Sequence, residues 1–384
     1  MTDSRNYLLF TAFLILIMTY NSSAQEKKSF NSYWDNGFHL EDDSGEFDMK
    51  FGGRIMYDWA VFDQSNEINN IVGEKEIGTE FRRARFFSSG TIYKKFYYKL
   101  QFDYAGGEAV FKDVYFEIND LPFGDLWIGH LKEPFSIEDL TSSKYINLME
   151  RAYVAELTPT RNNSFGDNEN TNNDAIFIGR ISGLPIKNEK GDRLLHIGGA
   201  YRHHFPGDRT FTSNFAPPVH MTSDYFSSNI IPDVNYVLYF GGEIAYIEGP
   251  FSLQGEFVRS NVNSEFDITG NETAYYAQVS YFLTGESRNY GGSYAGFKRV
   301  TPKNNFDAKK NWGAVELALR YSSAEYAFKN NINGTDNSNT INDISAGINW
   351  HLNPSTRFMF NYVYTDLEDV GNSVVYQMRL QVDF

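Results

Sequence analysis

The last twelve residues, Ser373–Phe384, constrain this chain more than any other segment. Val374, Tyr376, Met378, Leu380, Val382 and Phe384 fall on one side of an extended strand, and Gln377, Arg379, Gln381 and Asp383 fall on the other. A strand that keeps an apolar and a polar face at period two has to separate an apolar medium from water. An aromatic residue at the carboxyl end, with nothing after it, is the end expected of the closing strand of an outer-membrane barrel. The opposite end agrees. Arg5 precedes an apolar run, Tyr7–Tyr20, and Ser22-Ser23-Ala24 offer small residues for cleavage before Gln25. This pattern predicts a secretory signal peptide over 1–24.

After its removal no stretch approaches eighteen consecutive apolar residues, so no transmembrane helix is expected. Aromatic residues nevertheless reach 17%, with 33 Phe and 26 Tyr, while hydrophobic residues overall amount to 41%. A large soluble β-sandwich accommodates such a composition. A membrane barrel accounts for it more directly, because one strand face meets lipid, the other meets water, and aromatic girdles mark both interfaces. The chain has no Cys, as suits an exported protein whose closed sheet supplies its own stability. The formal net charge of −15 argues against a nucleic-acid partner, which requires concentrated positive charge. It does not fix ion selectivity, because charge at a constriction governs passage and charge on outer loops does not.

Residues 25–45 are polar, with Trp34 and Phe38 isolated among them, and read as a mobile periplasmic lead-in or a short plug. From 46 to 384 strand-like runs follow one another as a single barrel domain. Fourteen are visible, at 46–62, 79–93, 95–106, 109–119, 124–132, 175–184, 193–205, 236–248, 251–262, 272–285, 312–326, 340–352, 356–367 and 373–384. The gaps at 150–165, 210–230 and 293–310 leave room for more, and about sixteen strands are expected because such barrels take even numbers. Tight connections fall at 119–124, 248–250 and 353–355. Long polar ones at 162–174, 206–230, 286–311 and 329–340 are predicted to be external loops.

The segment 129–151 is the least strand-like of the early chain. Pro134 stops a central ladder, and Ser136, Glu138, Asp139, Ser142, Ser143 and Lys144 follow without period two. Such a segment either extends outside or folds into the lumen, where protein satisfies its backbone. Folded inward, it sets Ser142, Ser143 and Arg151 to hold an anion by hydroxyls and a guanidinium; otherwise it is a surface loop packed on the wall. Arg83 and Arg85 share one strand face, with Arg82 predicted on the other. The pair makes a step for a negatively charged solute, or it pairs with carboxylates and stiffens the wall. Arg320, Arg357 and Arg379 fall on the inferred lumen face. Lys298-Arg299, Lys303 and Lys309-Lys310 form a basic patch expected to draw anions to the outer mouth. Catalytic chemistry has little to stand on. His203-His204 lacks a carboxylate at zinc spacing, and the glycine pairs lack the strand–turn–helix context of a nucleotide site. No enzyme activity and no cofactor are expected.

Five groups of residues carry a family resemblance. They are Gly129–Ser143 with Met149-Glu150-Arg151; Phe81–Phe86 with Gly90; Tyr281–Tyr290; Trp312–Ser322; and Gly347–Pro354 with Asn361-Tyr362. In order and spacing they resemble the phosphate-selective porin O/P family of Gram-negative outer membranes, over about 46–384. The wealth of Asn, Tyr and Phe looks like a Bacteroidetes member. The resemblance implies a lipid-embedded barrel of sixteen strands in the cell outer membrane, usually a homotrimer, with an inward-folded constriction loop. Phosphate and polyphosphate channels of the family draw anions along arginines to a zone of lysines, arginines and serines. Carried over to this sequence, Ser142, Ser143 and Arg151 match the binding zone, and Arg83 and Arg85 match the basic wall. Asp139 stands where those channels place an eyelet lysine, with Glu133 and Glu138 nearby. The expected function is passive diffusion of small hydrophilic solutes, chiefly anions such as phosphate or polyphosphate. The alternatives are a broader or cation-tolerant porin and a non-conducting structural or adhesive barrel.

Overall fold

Period-two alternation builds nearly the whole molecule. The computed structural model describes residues 28–157, 174–265, 268–330 and 335–384, so the predicted signal peptide and most of 162–174 lie outside the described residues. In chain order the strands are β1 (Phe30–Trp34), β2 (Phe38–Asp42), β3 (Phe47–Gln64), β4 (Ile77–Ile92), β5 (Phe96–Asp103), β6 (Val110–Leu121), β7 (Gly124–His130), β8 (Ala175–Lys187), β9 (Arg193–Phe205), β10 (Asn214–Phe215), β11 (Phe226–Ser227), β12 (Val234–Glu248), β13 (Phe251–Ser264), β14 (Ile268–Phe282), β15 (Asn289–Tyr290), β16 (Phe297–Lys298), β17 (Ala314–Asn330), β18 (Thr335–Asn353), β19 (Thr356–Leu367) and β20 (Gly371–Asp383). Fourteen of them form one antiparallel path, β7-β6-β5-β4-β3-β20-β19-β18-β17-β14-β13-β12-β9-β8. β3 pairs with β20, so the two ends of the chain meet inside the sheet. Among the described residues no ladder joins β7 to β8.

The faces are inverted relative to a water-soluble protein. Along β20, Gln377 is 1% exposed, Arg379 0% and Asp383 2%, whereas Tyr376 is 46% and Met378 51% exposed. The same alternation runs along β19, where Arg357 and Asn361 are buried and Phe358 and Phe360 are exposed. Apolar side chains therefore face outward to lipid and polar ones inward.

The sheet holds sixteen strands among the described residues, fourteen on this path with β2 paired onto β3 and β1 onto β2. The gap at 210–230 contains only the two-residue pair β10–β11, that at 293–310 only part of β15–β16, and 150–157 a helical turn, Val154–Leu157. The two strands beyond the fourteen lie instead in the polar lead-in. One expectation changes, the position of a connection. β14 runs toward the end that holds the tight turns 122–123, 249–250 and 354–355, so the connection 283–313 belongs to that end and not with the outer loops. Leu283 N–H donates to Val315 C=O (2.8 Å) and Phe306 N–H to Leu352 C=O (2.7 Å), fixing it there. The polar lead-in contains the β1–β2 hairpin, which pairs onto β3 through Phe38–Glu41.

The carboxyl end closes against a glycine. Gly53 N–H donates to Phe384 C=O (2.6 Å), and Phe384 N–H donates back to Gly53 C=O (3.0 Å). A Cβ at Gly53 would lie 2.5 Å from Arg85 O and 2.8 Å from the Phe384 ring. Gly242 has nothing within 4 Å of such a Cβ. Gly53→Val should therefore cost about 1–3 kcal/mol through overpacking, while Gly242→Ala should be close to neutral. The temperature at which the folded band is lost on SDS gels measures both; equal loss in the two variants would contradict this account of the seam.

Candidate solute path

The segment that leaves β7 folds onto the inward face, and each part of it is held by a strand residue. Phe135 is buried over Gly241, where a Cβ would meet its ring at 2.7 Å. Ser136 caps the helical turn Ile137–Leu140, its Oγ accepting from Asp139 N–H (3.2 Å). The turn's leading N–H groups end on carboxylates. Ile137 N–H donates to Glu243 (2.9 Å) and Glu256 (3.2 Å), and Glu138 N–H donates to Glu256 (2.8 Å). Its trailing carbonyls accept from cations: Arg151 donates to Thr141 O (2.8 Å) and Glu138 O (3.2 Å), and Lys132 donates to Asp139 O and Thr141 O. The orphan backbone groups at both ends are thus satisfied.

Further along, Arg357 donates to Ile146 O (2.9 Å), Arg379 to Met149 O (2.8 Å) and Arg320 to Glu150 O (3.0 Å). Asn349 donates to Asn147 O (2.8 Å), and Asn147 donates to Glu316 (2.7 Å). One short segment therefore touches β12, β13, β17, β18, β19 and β20, which requires the sheet to curl around it. Arg320, Arg357 and Arg379 lie on the inward face as expected, but they anchor the segment's carbonyls.

The basic wall is larger than the sequence suggested. The register between β3 and β4 shifts after Met56↔Arg83 to Tyr57↔Phe81, leaving Arg82 as an extra residue. This β-bulge turns Arg82 onto the inward face, correcting its predicted outward orientation. There Arg82 makes two bonds to Glu150 (2.8 and 2.9 Å). Burial opposes ionisation of Glu150, but Arg82 and Arg379 hold its carboxyl well below the usual range. Arg85 pairs with Asp103 (2.6 Å) and lies across from Arg54. Arg54 donates to Ser142 Oγ (3.0 Å). Arg83 is 8% exposed, its Nε has no partner, and it forms no ion pair among the described residues. Ser143 Oγ and Arg54 Nε are likewise buried without partners among the described residues. Lys144 extends the series, 3.4 Å from Asp383, and burial lowers its ammonium to about 8.

Of the five residues singled out in the sequence, Arg83 and Arg85 share this wall, and Arg54 links it to Ser142. Ser143 is buried in the adjoining backbone, with its hydroxyl unpartnered. Arg151 meets this segment one residue before Ser142, at the Thr141 carbonyl (2.8 Å). Its guanidinium serves the carbonyls of the helical turn and borders a separate cavity with Arg82. Arg54 and Arg82 were missed as members of the wall. The Lys298-Arg299 patch is not at the outer mouth. Arg299 is drawn inside at the tight-turn end, bonded to Asp383 and Pro354 O. The connection 283–313 then reaches the first segment: Phe297 N–H donates to Thr141 Oγ1 (3.2 Å), and Tyr294 OH donates to Lys132 O (3.0 Å). No group of His, Asp and Glu suited to a metal occurs among the described residues. His203 stacks on Phe205, with centroids 4.1 Å apart.

A family model described as "Phosphate-selective porin O and P" matches residues 49–384. The chain belongs to that family. It is similar to Porin O of Pseudomonas aeruginosa, with 26% identity over 392 residues, covering 88% of this chain and 87% of the relative. Among solved structures it is similar to in-vitro folded OmpT, an outer membrane protein of Vibrio cholerae, with a TM-score of 0.50 and 12% identity, covering 88% of this chain and 98% of that one. The porin is thus an outer-membrane transport protein with passive-diffusion function, and it is not an enzyme.

Arg379 is the buried hub of the path, bonded twice to Asp58 (2.7 Å each) and once to Glu150 (2.8 Å). Arg379→Met would strand the buried Asp58 carboxylate, while Glu150 keeps Arg82, and should cost about 3–5 kcal/mol. Yield of the folded band after refolding measures this; wild-type yield and heat resistance would refute the hub role.

Proposed function

We propose that the curled sheet closes into a trimeric barrel in which 131–157 forms the constriction, and that the porin passes small anions, phosphate among them, down their gradient. One observation carries this reading: Arg83 is buried with no ion pair among the described residues, in a wall that also carries Arg54, Arg82 and Arg85 and reaches Ser142. An unpaired buried guanidinium is costly, and a passing anion relieves that cost. Arg85 and Arg82 are compensated by Asp103 and Glu150, so they shape the field without trapping the solute. Serine hydroxyls and free N–H donors then replace part of the anion's hydration shell. The relative named Porin O belongs to a family described as phosphate-selective, which supports the same substrate class. A non-conducting barrel is the second reading. It is favoured by the contact between the two inserted segments at Thr141 and Phe297.

Single-channel recording in asymmetric KCl tests both. The expected result is an anion-biased reversal potential with saturable block by phosphate; a cation bias sinks the anion path, and absence of current from folded protein favours the second reading. Arg83→Gln should weaken phosphate block about tenfold, the worth of one charge-assisted hydrogen bond. The anion bias should also fall as pH rises through about 8, because Lys144 loses its charge there and is protonated below it. Lys144→Arg keeps its charge and should flatten that part of the profile; an unchanged slope would remove Lys144 from the path.

A further inference from the structure

At the long-loop end a cavity of about 480 Å³ opens above the arginine wall, lined by Arg82, Asp139, Glu150, Arg151, Glu156 and Asp224, with the 216–220 stretch as its roof. Its charges are of both signs and unevenly satisfied. Arg82 is occupied by Glu150, and Arg151 by backbone carbonyls and, at 3.6 Å, by Asp139. Glu156 and Asp224 have no cationic partner among the described residues and stand within electrostatic reach of each other. Four carboxylates against two guanidiniums leave this antechamber acidic. Next to the cavity-lining Arg82 on β4 the sign reverses. Arg83, within electrostatic reach of both Arg82 and Glu150, is more than nine-tenths buried, with its Nε unpartnered. A simple anion gains from the second region and is opposed by the first; a simple cation meets the converse.

We propose that this antechamber recruits amphoteric solutes, small molecules carrying one ammonium and one phosphonate or phosphate group, with the ammonium between Glu156 and Asp224 and the anionic group turned toward Arg83. This rests on the anion path described above. Both carboxylates are exposed to the cavity, and an ammonium set between them would supply a counter-charge that no described residue gives them. The arrangement also gives Asp139 and its acidic neighbours a use that a channel for bare phosphate does not have.

The test compares 2-aminoethylphosphonate with ethylphosphonate as blockers added from the long-loop side. In wild type the aminated compound should block at about fivefold lower concentration, the worth of one ion pair in confined water. In the E156Q/D224N double variant the ratio should fall to about one. Equal block by the two compounds in wild type, or a ratio that survives the double variant, overturns the proposal while leaving the anion path standing. No block by ethylphosphonate in wild type, together with a cation-biased reversal potential, overturns the anion path and this inference with it.

Discussion

The fold depends on one guanidinium. Arg379 has no exposed surface, and its planar fork bonds Asp58 on β3, Glu150 on the inserted segment and the Met149 carbonyl at once. Only arginine presents enough fixed donors to do this from one site. The consequence is structural economy: the seam between the first and last long strands, the seating of the insert and, through Glu150, the orientation of Arg82 are set by the same group. Buried ion pairs are weak sources of net stability, but removing one partner is severe, which is how such a group specifies a single arrangement.

Electrostatics here is local. The chain carries −15 overall, yet the face between β3 and β4 collects Arg54, Arg82, Arg83 and Arg85. Acidic residues elsewhere are mostly engaged: Glu243 and Glu256 with backbone N–H groups, Asp103 with Arg85, and Asp383 with Arg299 and Lys144. On the path proposed above, what a solute meets is the remainder after this pairing.

The alternation of β19 and β20 was fully legible in the sequence, because membrane and water impose opposite demands on successive residues. The side on which Arg82 lies was not. Strict period two assigns it outward, and a bulge is a one-residue departure visible only in the cross-strand register. Arg151 has a structural duty that the sequence did not signal: a charged residue in an inserted loop has backbone carbonyls to satisfy. The end occupied by 283–313 was readable in principle. Tight turns follow even-numbered long strands, and this connection follows the tenth; length alone suggested an outer loop. The contact of that connection with Thr141 had no sequence signal, since it joins residues 156 positions apart.

That contact has a consequence for assembly. Connections entering from opposite ends meet at Thr141 and Phe297, and Gly296, with φ of +58°, lies so near Thr141 that a side chain has no room. A wall completed first would have to admit two threads into an already enclosed interior. In the closed barrel proposed above, the order that avoids this seats the filling while the edges β7 and β8 are still apart: a vessel built around its contents and not one filled after closure.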